Sequence, residues 1–225
     1  MNSNYGKKPI IALCGRNGAG KTTLAKALAT HWAIRDDLFI GPHLTQVMSF
    51  AEPLKDSLIA MLDVPRNLFY PETPEDRIRR ETICRPLTWV FSDQNMSARK
   101  LMLDYGAAMR EAFGECVWTN LMQHRINNFF ARHAVESPIV IIDDTRFQDE
   151  FVLLQSYGAI FVVVHIGGDK EENTADETSV EWQWKHMLPN DVLHITTDHT
   201  EQSLRRNVQE ITKAANEKFN LFLPN

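Results

Sequence analysis

Short runs of apolar residues alternate along this chain with longer segments in which apolar residues recur at helical spacing. Residues 138–144 form the clearest run, because Ile139-Val140-Ile141-Ile142 is continuous and β-branched, as in strands buried on both faces of a parallel sheet. Residues 9–14 and 159–166 have the same character. Buried strands that alternate with helices are typical of an α/β fold with a parallel sheet.

The rest of the chain continues this alternation. The pattern predicts two shorter strands at 45–50 and 192–196, and helices at 21–32, 53–62, 97–113, 116–132, 147–157 and 201–219. In two segments the apolar residues show no clear periodicity. Residues 63–86 are rich in proline and charge, which predicts a surface arm, and residues 167–190 are polar and aromatic, which predicts a lid.

A glycine-rich segment between the first strand and the first helix carries the most specific motif. Gly15-Arg16-Asn17-Gly18-Ala19-Gly20-Lys21-Thr22 matches G-x-x-x-x-G-K-[ST], the phosphate-binding P-loop, and Thr23 continues it into the helix. Lys21 can bridge the terminal phosphates of a polyphosphate, and the Thr22 hydroxyl can ligate the accompanying magnesium. The alternative is a glycine-rich turn with a surface lysine, and the flanking strand and helix argue against it.

Two acidic residues, Asp143 and Asp144, close the strand at 138–144. A P-loop protein needs an acid at the end of a neighbouring strand, which holds magnesium directly or through water. Consecutive strand residues point to opposite faces, so only one of the two is expected to address the metal directly. We assign Asp144 to that role and Asp143 to a contact through water.

Arg146 lies close enough to Asp144 to reach the crevice at the carboxyl ends of the strands, where ligands of open α/β sheets bind. A guanidinium there can bind a phosphate with two hydrogen bonds. The alternative is an ion pair with Asp149 or Glu150 in the next helical turn. The sequence leaves both roles open.

Kinases and hydrolases share the P-loop and the strand-end acid, and they differ in the molecule that accepts the phosphate. A nucleotide kinase receives a phosphate that is already an anionic nucleophile, so it needs cations that position and neutralise this group. Arg99 and Arg110 lie about three turns apart on one predicted helix and therefore share nearly the same face. They are candidate contacts to different parts of the site.

Composition and charge narrow the functional classes. With 225 residues, 44% hydrophobic and 24% charged, the chain has the composition of a soluble globular protein with room for one domain and an insertion. No apolar run is long enough to span a bilayer, and the polar N-terminus does not resemble a signal peptide. The net charge of −5 argues against a broad nucleic-acid surface.

The three cysteines, Cys14, Cys84 and Cys116, are widely spaced and form no C-x-x-C pair. This pattern favours a reducing cytoplasm and no structural metal, and we expect Cys14 to pack in the core. Within the arm, Asp76 with Arg80 and Arg77 with Glu81 have the spacing of ion pairs on a helix surface. We expect a solvated helix face there, and a substrate-facing basic patch is the alternative.

Four groups of residues, in this order, resemble the phage-type deoxynucleoside monophosphate kinases. They are the P-loop at 15–23, Ser49-Phe50-Ala51-Glu52-Pro53-Leu54-Lys55, Arg99-Lys100-Leu101-Met102 with Gly106, Arg110, Gly114 and Trp118, and Asp144-Thr145-Arg146-Phe147-Gln148-Asp149-Glu150. The resemblance covers about residues 9–210, and only the P-loop is specific by itself. The chain departs from the family pattern at Asp149, where Asn is favoured, and in the predicted lid, which has few basic side chains.

The resemblance implies an adenylate-kinase-like α/β fold. This fold is a P-loop NTPase three-layer sandwich with a five-stranded parallel sheet, here a single kinase domain at 9–225 with a monophosphate-binding arm at about 54–96 and a lid at about 167–190. It implies transfer of the ATP γ-phosphate to a deoxynucleoside monophosphate, for nucleotide supply to DNA synthesis, in the cytoplasm or, for a phage-encoded enzyme, the host cytoplasm. The expected partners are these small molecules, with no nucleic acid and no membrane, and a homodimer is worth testing.

The resemblance also implies roles for individual residues. Lys21 would bridge phosphates, Thr22 would ligate magnesium and Asp144 would be the strand-end acid. Arg99, Arg110 and Arg146 would neutralise the acceptor phosphate or the transferring group, with help from Lys55, and Arg16 would take over part of the task of a basic lid. Trp118 is expected to pack in the core, as a tryptophan on an apolar helix face usually does.

Two other classes of protein compete with this interpretation. A related small-molecule kinase, such as phosphomevalonate kinase, shares the P-loop and a strand-end Asp and Arg. A nucleotide switch or motor ATPase shares only the P-loop. The sequence lacks the Asn-Lys-x-Asp guanine motif and has no Asp-Glu pair after Ile142, which argues against this second class.

Overall fold

The computed structural model describes residues 8–33, 44–84, 87–88, 95–134, 138–167, 188–189, 191–221 and 223. Its strands are β1 (Ile10–Cys14), β2 (Thr45–Met48), β3 (Ile139–Ile142), β4 (Ile160–Ile166) and β5 (Leu193–Thr197). Its helices are α1 (Lys21–Ala33), α2 (Glu52–Leu62), α3 (Pro74–Glu81), α4 (Ala98–Phe113), α5 (Val117–Arg132), α6 (Gln148–Ser156) and α7 (Glu201–Phe219), with a 3₁₀ turn at Arg66–Leu68.

The five strands form one parallel sheet in the order β2-β3-β1-β4-β5. At its centre, Ile11 of β1 pairs with Ile141 of β3 and Ile160 of β4. Every residue of β1 and β3 is buried, as their continuous apolar sequences predict. The α/β class and the five-stranded parallel sheet are therefore confirmed. The loops after the parallel strands all leave from one edge of the sheet.

The chain divides into two compact units, of which the first comprises residues 1–49 and 122–225. Its core combines the inner positions of the sheet with apolar residues of α1 and α7, including Leu28, Trp32 and Ile211, which are fully buried. Cys14 is also fully buried, and its predicted packing role is confirmed. The loop at 15–22 leads directly into α1, and α1 is anchored in this core.

The second unit comprises residues 50–121 and has its own apolar core. Leu58 of α2, Phe69 and Leu101 of α4 are at its centre. Trp118 is 6% exposed in the same cluster, and its indole N–H donates to the carbonyl oxygen of Gly106 at 3.4 Å. The prediction that Trp118 is a packing residue is confirmed.

The charged run in the second unit differs from the predicted ion-pair pattern. Asp76 is buried and belongs to the capping box of α3, where its carboxylate accepts the Thr73 N–H at 3.2 Å and the Asn67 side-chain N–H at 2.8 Å. Arg80 instead pairs with Glu81 at 3.0 Å. The predicted pairing of Asp76 with Arg80 is therefore wrong, because the helix begins only two residues before Asp76 and its first turn needs a cap.

Most element bounds follow the predictions closely, and α7 has the predicted bounds. Gly114, with φ 94°, ends α4 as predicted. β2 ends at Met48 and β3 at Ile142, so both strands are shorter than predicted. Residues 168–187 and 190, which make up nearly all of the predicted lid, lie outside the described residues.

None of the helices in the described part of the chain combines the length and the hydropathy that crossing a bilayer requires.

The contact between Trp32 of α1 and Thr212 of α7 gives a test of the core. The indole N–H donates to Thr212 Oγ1 at 2.9 Å, and both residues are fully buried. Thr212→Val keeps the shape but leaves this N–H without its acceptor, so we expect the free energy of unfolding to fall by about 1–3 kcal/mol in urea denaturation. The double variant with Trp32→Phe should lose less than the sum of the single losses. An unchanged midpoint for Thr212→Val would contradict this account.

Candidate active site

The loop between β1 and α1 encloses the ammonium group of Lys21. This side chain is buried, and its Nζ donates to the carbonyl oxygens of Gly15 at 2.8 Å and Arg16 at 2.7 Å. Ala19 is 1% exposed and anchors the loop in the core of the first unit. Lys21 is therefore not a surface lysine, and phosphate binding by this loop stays a prediction.

The backbone of this loop requires glycine at its start. Gly15 has φ 136°, and a Cβ at this position would lie 2.5 Å from the carbonyl oxygen of Val164 in β4. Beyond it, Arg16, Asn17 and Gly18 are exposed. The loop thus runs against the end of a neighbouring strand and turns its middle residues outward.

The start of α1 offers N–H groups to an anion. The first backbone hydrogen bond of the helix runs from the Leu24 N–H to the Gly20 oxygen at 2.9 Å. The N–H groups of Lys21, Thr22 and Thr23 come before it and have no carbonyl partner within the helix. Together with the positive end of the helix dipole, they suit a phosphate group.

The two acids after β3 have different partners. Asp143 is buried and its Oδ2 accepts the Thr22 hydroxyl at 2.7 Å, whereas Asp144 Oδ2 accepts the Ser49 hydroxyl at 2.5 Å. This confirms that consecutive acids here address different groups. The structure brings Asp143, and not Asp144, to the predicted magnesium ligand Thr22. The assignment of the metal to Asp144 stays a prediction.

Positive charge collects around Lys21. The pKa of Lys21 is lowered to about 8, first by burial and then by the charge of Arg146, while Asp143 and Asp144 act in the opposite direction. Arg146 is exposed, and within the described ranges its guanidinium forms no ion pair with Asp149 or Glu150. That predicted alternative is wrong. Lys21 and Arg146 thus bring two positive charges to the site, where Asp143 and Asp144 bring two carboxylates.

Glu150 of α6 is a functional candidate, although the sequence pattern predicts only an ion-pair partner at this position. It is 3% exposed, and its Oε2 accepts the backbone N–H groups of Arg146 at 2.6 Å and Phe147 at 3.0 Å. Phe147 is the N-cap of α6 and has no side-chain acceptor, so Glu150 caps the helix instead. A glutamate three residues after the N-cap is the pattern that could have identified this role.

Burial and nearby negative charge also affect the carboxyl group of Glu150. Burial raises the pKa of Glu150 to about 8, and the charge of Asp144 raises it as well, while the two N–H groups act in the opposite direction. Below this pH the carboxyl group is mostly neutral. It therefore adds little charge to the site near pH 7.

His199 was not identified from the sequence. It has a left-handed backbone with φ 63°, and a Cβ on Gly20 would lie 3.8 Å from its Nδ1. The imidazole therefore stands beside the end of the P-loop. No motif in the sequence points to this contact, because it joins segments that are far apart in the chain.

The remaining predicted site residues lie in the second unit. Arg99 pairs with Glu81 at 3.2 Å, and Lys55 Nζ lies 4.8 Å from the centre of the Tyr70 ring. Arg110 is half-buried in the last turn of α4. The predicted roles of these three residues in acceptor binding remain predictions.

Comparison with known proteins found no matching family model and no matching curated protein.

Glu150 makes the stability of the protein depend on pH. Its pKa is higher in the folded than in the unfolded chain, so its contribution is fully present below about pH 4.5 and is lost as the pH rises towards 8. Glu150→Gln keeps an acceptor that does not titrate. Between pH 5 and 8, the free energy of unfolding of the wild type should fall relative to this variant, by on the order of 2 kcal/mol in urea denaturation. A constant difference across this range would contradict the prediction.

Proposed function

We propose that this protein is an ATP-dependent deoxynucleoside monophosphate kinase, which transfers the γ-phosphate of ATP to a deoxynucleoside monophosphate and releases ADP and the diphosphate. One observation carries the proposal: the ammonium group of Lys21 is held by two carbonyl groups of its own loop, beside the hydrogen-bonded pair of Thr22 and Asp143. The order of the family-like motifs along the sequence supports the choice of acceptor.

The architecture supports an adenylate-kinase-like P-loop fold. The candidate phosphate loop follows the central strand β1, and a separate helical unit at 50–121 is inserted in the chain between β2 and β3. The monophosphate-binding arm expected at about 54–96 falls within this unit. The proposal assigns the phosphates of the donor to the loop after β1 and the acceptor to residues of the unit at 50–121.

The residues around the loop fit a polyphosphate with magnesium. The N–H groups at the start of α1 would hold phosphate oxygens, and Lys21 would exchange its two carbonyl contacts for them. Thr22, with Asp143 or Asp144, would hold the magnesium ion, which when bound supplies charge neutralisation on the terminal phosphates. Arg146 would neutralise the transferring group from beside Lys21.

Lys55, Arg99 and Arg110 would bind the acceptor. A deoxynucleoside monophosphate brings its own anionic nucleophile, so these side chains would position it and neutralise its charge without acting as a base. Water is a competing acceptor, and a kinase suppresses it by allowing transfer only after the acceptor has bound.

ATP turnover should therefore depend on the acceptor. We expect ADP release to rise at least about tenfold when one or more of the four deoxynucleoside monophosphates is added, because transfer to water is suppressed. The measurement is a coupled assay of ADP release with each nucleotide in turn, with phosphomevalonate as a further candidate acceptor. Equal rates with and without every acceptor would rule out a kinase, and activity with phosphomevalonate alone would favour the related small-molecule kinase.

Lys21→Met is the control for this assay. Burial disfavours the charged lysine, but the variant also leaves the carbonyl oxygens of Gly15 and Arg16 without their donor, so we expect it to fold with a free energy of unfolding lowered by no more than about 1–3 kcal/mol. Its acceptor-dependent turnover should fall by about 10² or more, because the lost charge acts on the transferring phosphate. Full activity in this variant would show that the turnover arises at another site.

The choice between Asp143 and Asp144 can be tested through magnesium. Because Asp143 contacts the Thr22 hydroxyl directly, Asp143→Asn should raise the magnesium concentration for half-maximal turnover by about tenfold, and Asp144→Asn should raise it less. Binding of ADP without magnesium, measured by calorimetry, should change little in either variant. The reverse order of the two effects would support Asp144 as the direct ligand.

A further inference from the structure

The segment that carries Asp143, Asp144 and Arg146 is held by a buried side chain from the following helix. Glu150 Oε2 accepts the backbone N–H groups of Arg146 at 2.6 Å and Phe147 at 3.0 Å. At 3% exposure, this carboxyl group is covered by protein and does not reach a ligand in the crevice. Its influence on a reaction there would have to pass through the residues it holds.

Arg146 is the residue through which that influence would pass. Its backbone is fixed by the shorter of the two hydrogen bonds, while its side chain is exposed and its charge acts on Lys21. A guanidinium that neutralises a transferring phosphate must be placed to within a fraction of an ångström, and a displacement of about 1 Å can reduce a rate by about 10². The backbone position of Arg146 is therefore a condition for its charge to act.

We propose that Glu150 is a positioning residue, which holds the backbone of Arg146 so that its guanidinium keeps its place during phosphoryl transfer. This inference rests on the proposed kinase function. The role requires a hydrogen-bond acceptor at the end of a side chain of this length. Gln keeps such an acceptor, whereas Asp is one methylene shorter and Ala has none.

The first experiment measures the loop without any ligand. Hydrogen exchange with mass spectrometry on the wild type, Glu150→Gln, Glu150→Asp and Glu150→Ala should show faster exchange of the Arg146 and Phe147 amides in the Ala and Asp variants, by about tenfold, and unchanged exchange in the Gln variant. Unchanged exchange in Glu150→Ala would overturn the proposal. This result does not depend on whether the protein is a kinase.

The second experiment measures acceptor-dependent turnover. Glu150→Ala should lower kcat by about 10 to 100-fold while the KM for ATP changes less than about threefold, and Glu150→Gln should restore most of the activity. The stability control is Thr212→Val, which removes the acceptor of the Trp32 indole N–H in the core of the first unit. This control should lose stability and keep its kcat.

A double-mutant cycle separates positioning from a general structural role. If Glu150 acts through Arg146, then Glu150→Ala should have almost no further effect on kcat in an Arg146→Ala background. Additive losses, a Gln variant as defective as the Ala variant, or an equal loss in Thr212→Val would each overturn the proposal. A wild type that is inactive with all acceptors would instead overturn the proposed function, and the exchange data would still test the hold of Glu150 on the loop.

Discussion

Burial of the Lys21 ammonium group inside its own loop is the constraint on which the rest of the site depends. The carbonyl groups of Gly15 and Arg16 can meet this ammonium only if the backbone turns inward at the end of β1. That turn brings Gly15 so close to Val164 of β4 that a side chain at position 15 would collide with its carbonyl oxygen. The sheet, the loop and the first residue of α1 therefore determine each other's positions.

The surrounding charges follow from this arrangement. Asp143 accepts the Thr22 hydroxyl and Asp144 accepts the Ser49 hydroxyl, so both carboxylates are held while the site is free of ligand. Lys21 and Arg146 supply two cations, and the pKa of Glu150 near 8 keeps a third carboxyl group from adding its charge at pH 7. A polyphosphate would add further negative charge to this nearly balanced group. Its binding together with a divalent cation is therefore electrostatically more favourable than its binding alone.

The sheet and most helices could be predicted because their apolar patterns lie in continuous stretches of sequence. The candidate phosphate loop could be located because its residues lie in one short segment with fixed spacing, and its binding of phosphate stays a prediction. The partner of Thr22 could not be predicted, since alternation along β3 says that Asp143 and Asp144 differ but not which of them faces α1. Asp76 was misassigned for a related reason, because the spacing of an ion pair also occurs where an acid caps the first turn of its helix.

The free protein carries two unfavourable electrostatic terms at this site. Lys21 is charged at pH 7 although burial disfavours the charge, and Glu150 is a carboxyl group surrounded by protein and next to another acid. In the core of the first unit, by contrast, the polar pair of Trp32 and Thr212 is satisfied. A negatively charged ligand at Lys21 would offset the cost of burying the lysine charge. It could do so only in the folded protein, because the burial exists only there. The same burial that makes the empty loop unfavourable would thus add to the affinity for an anion and link its binding to the stability of the fold.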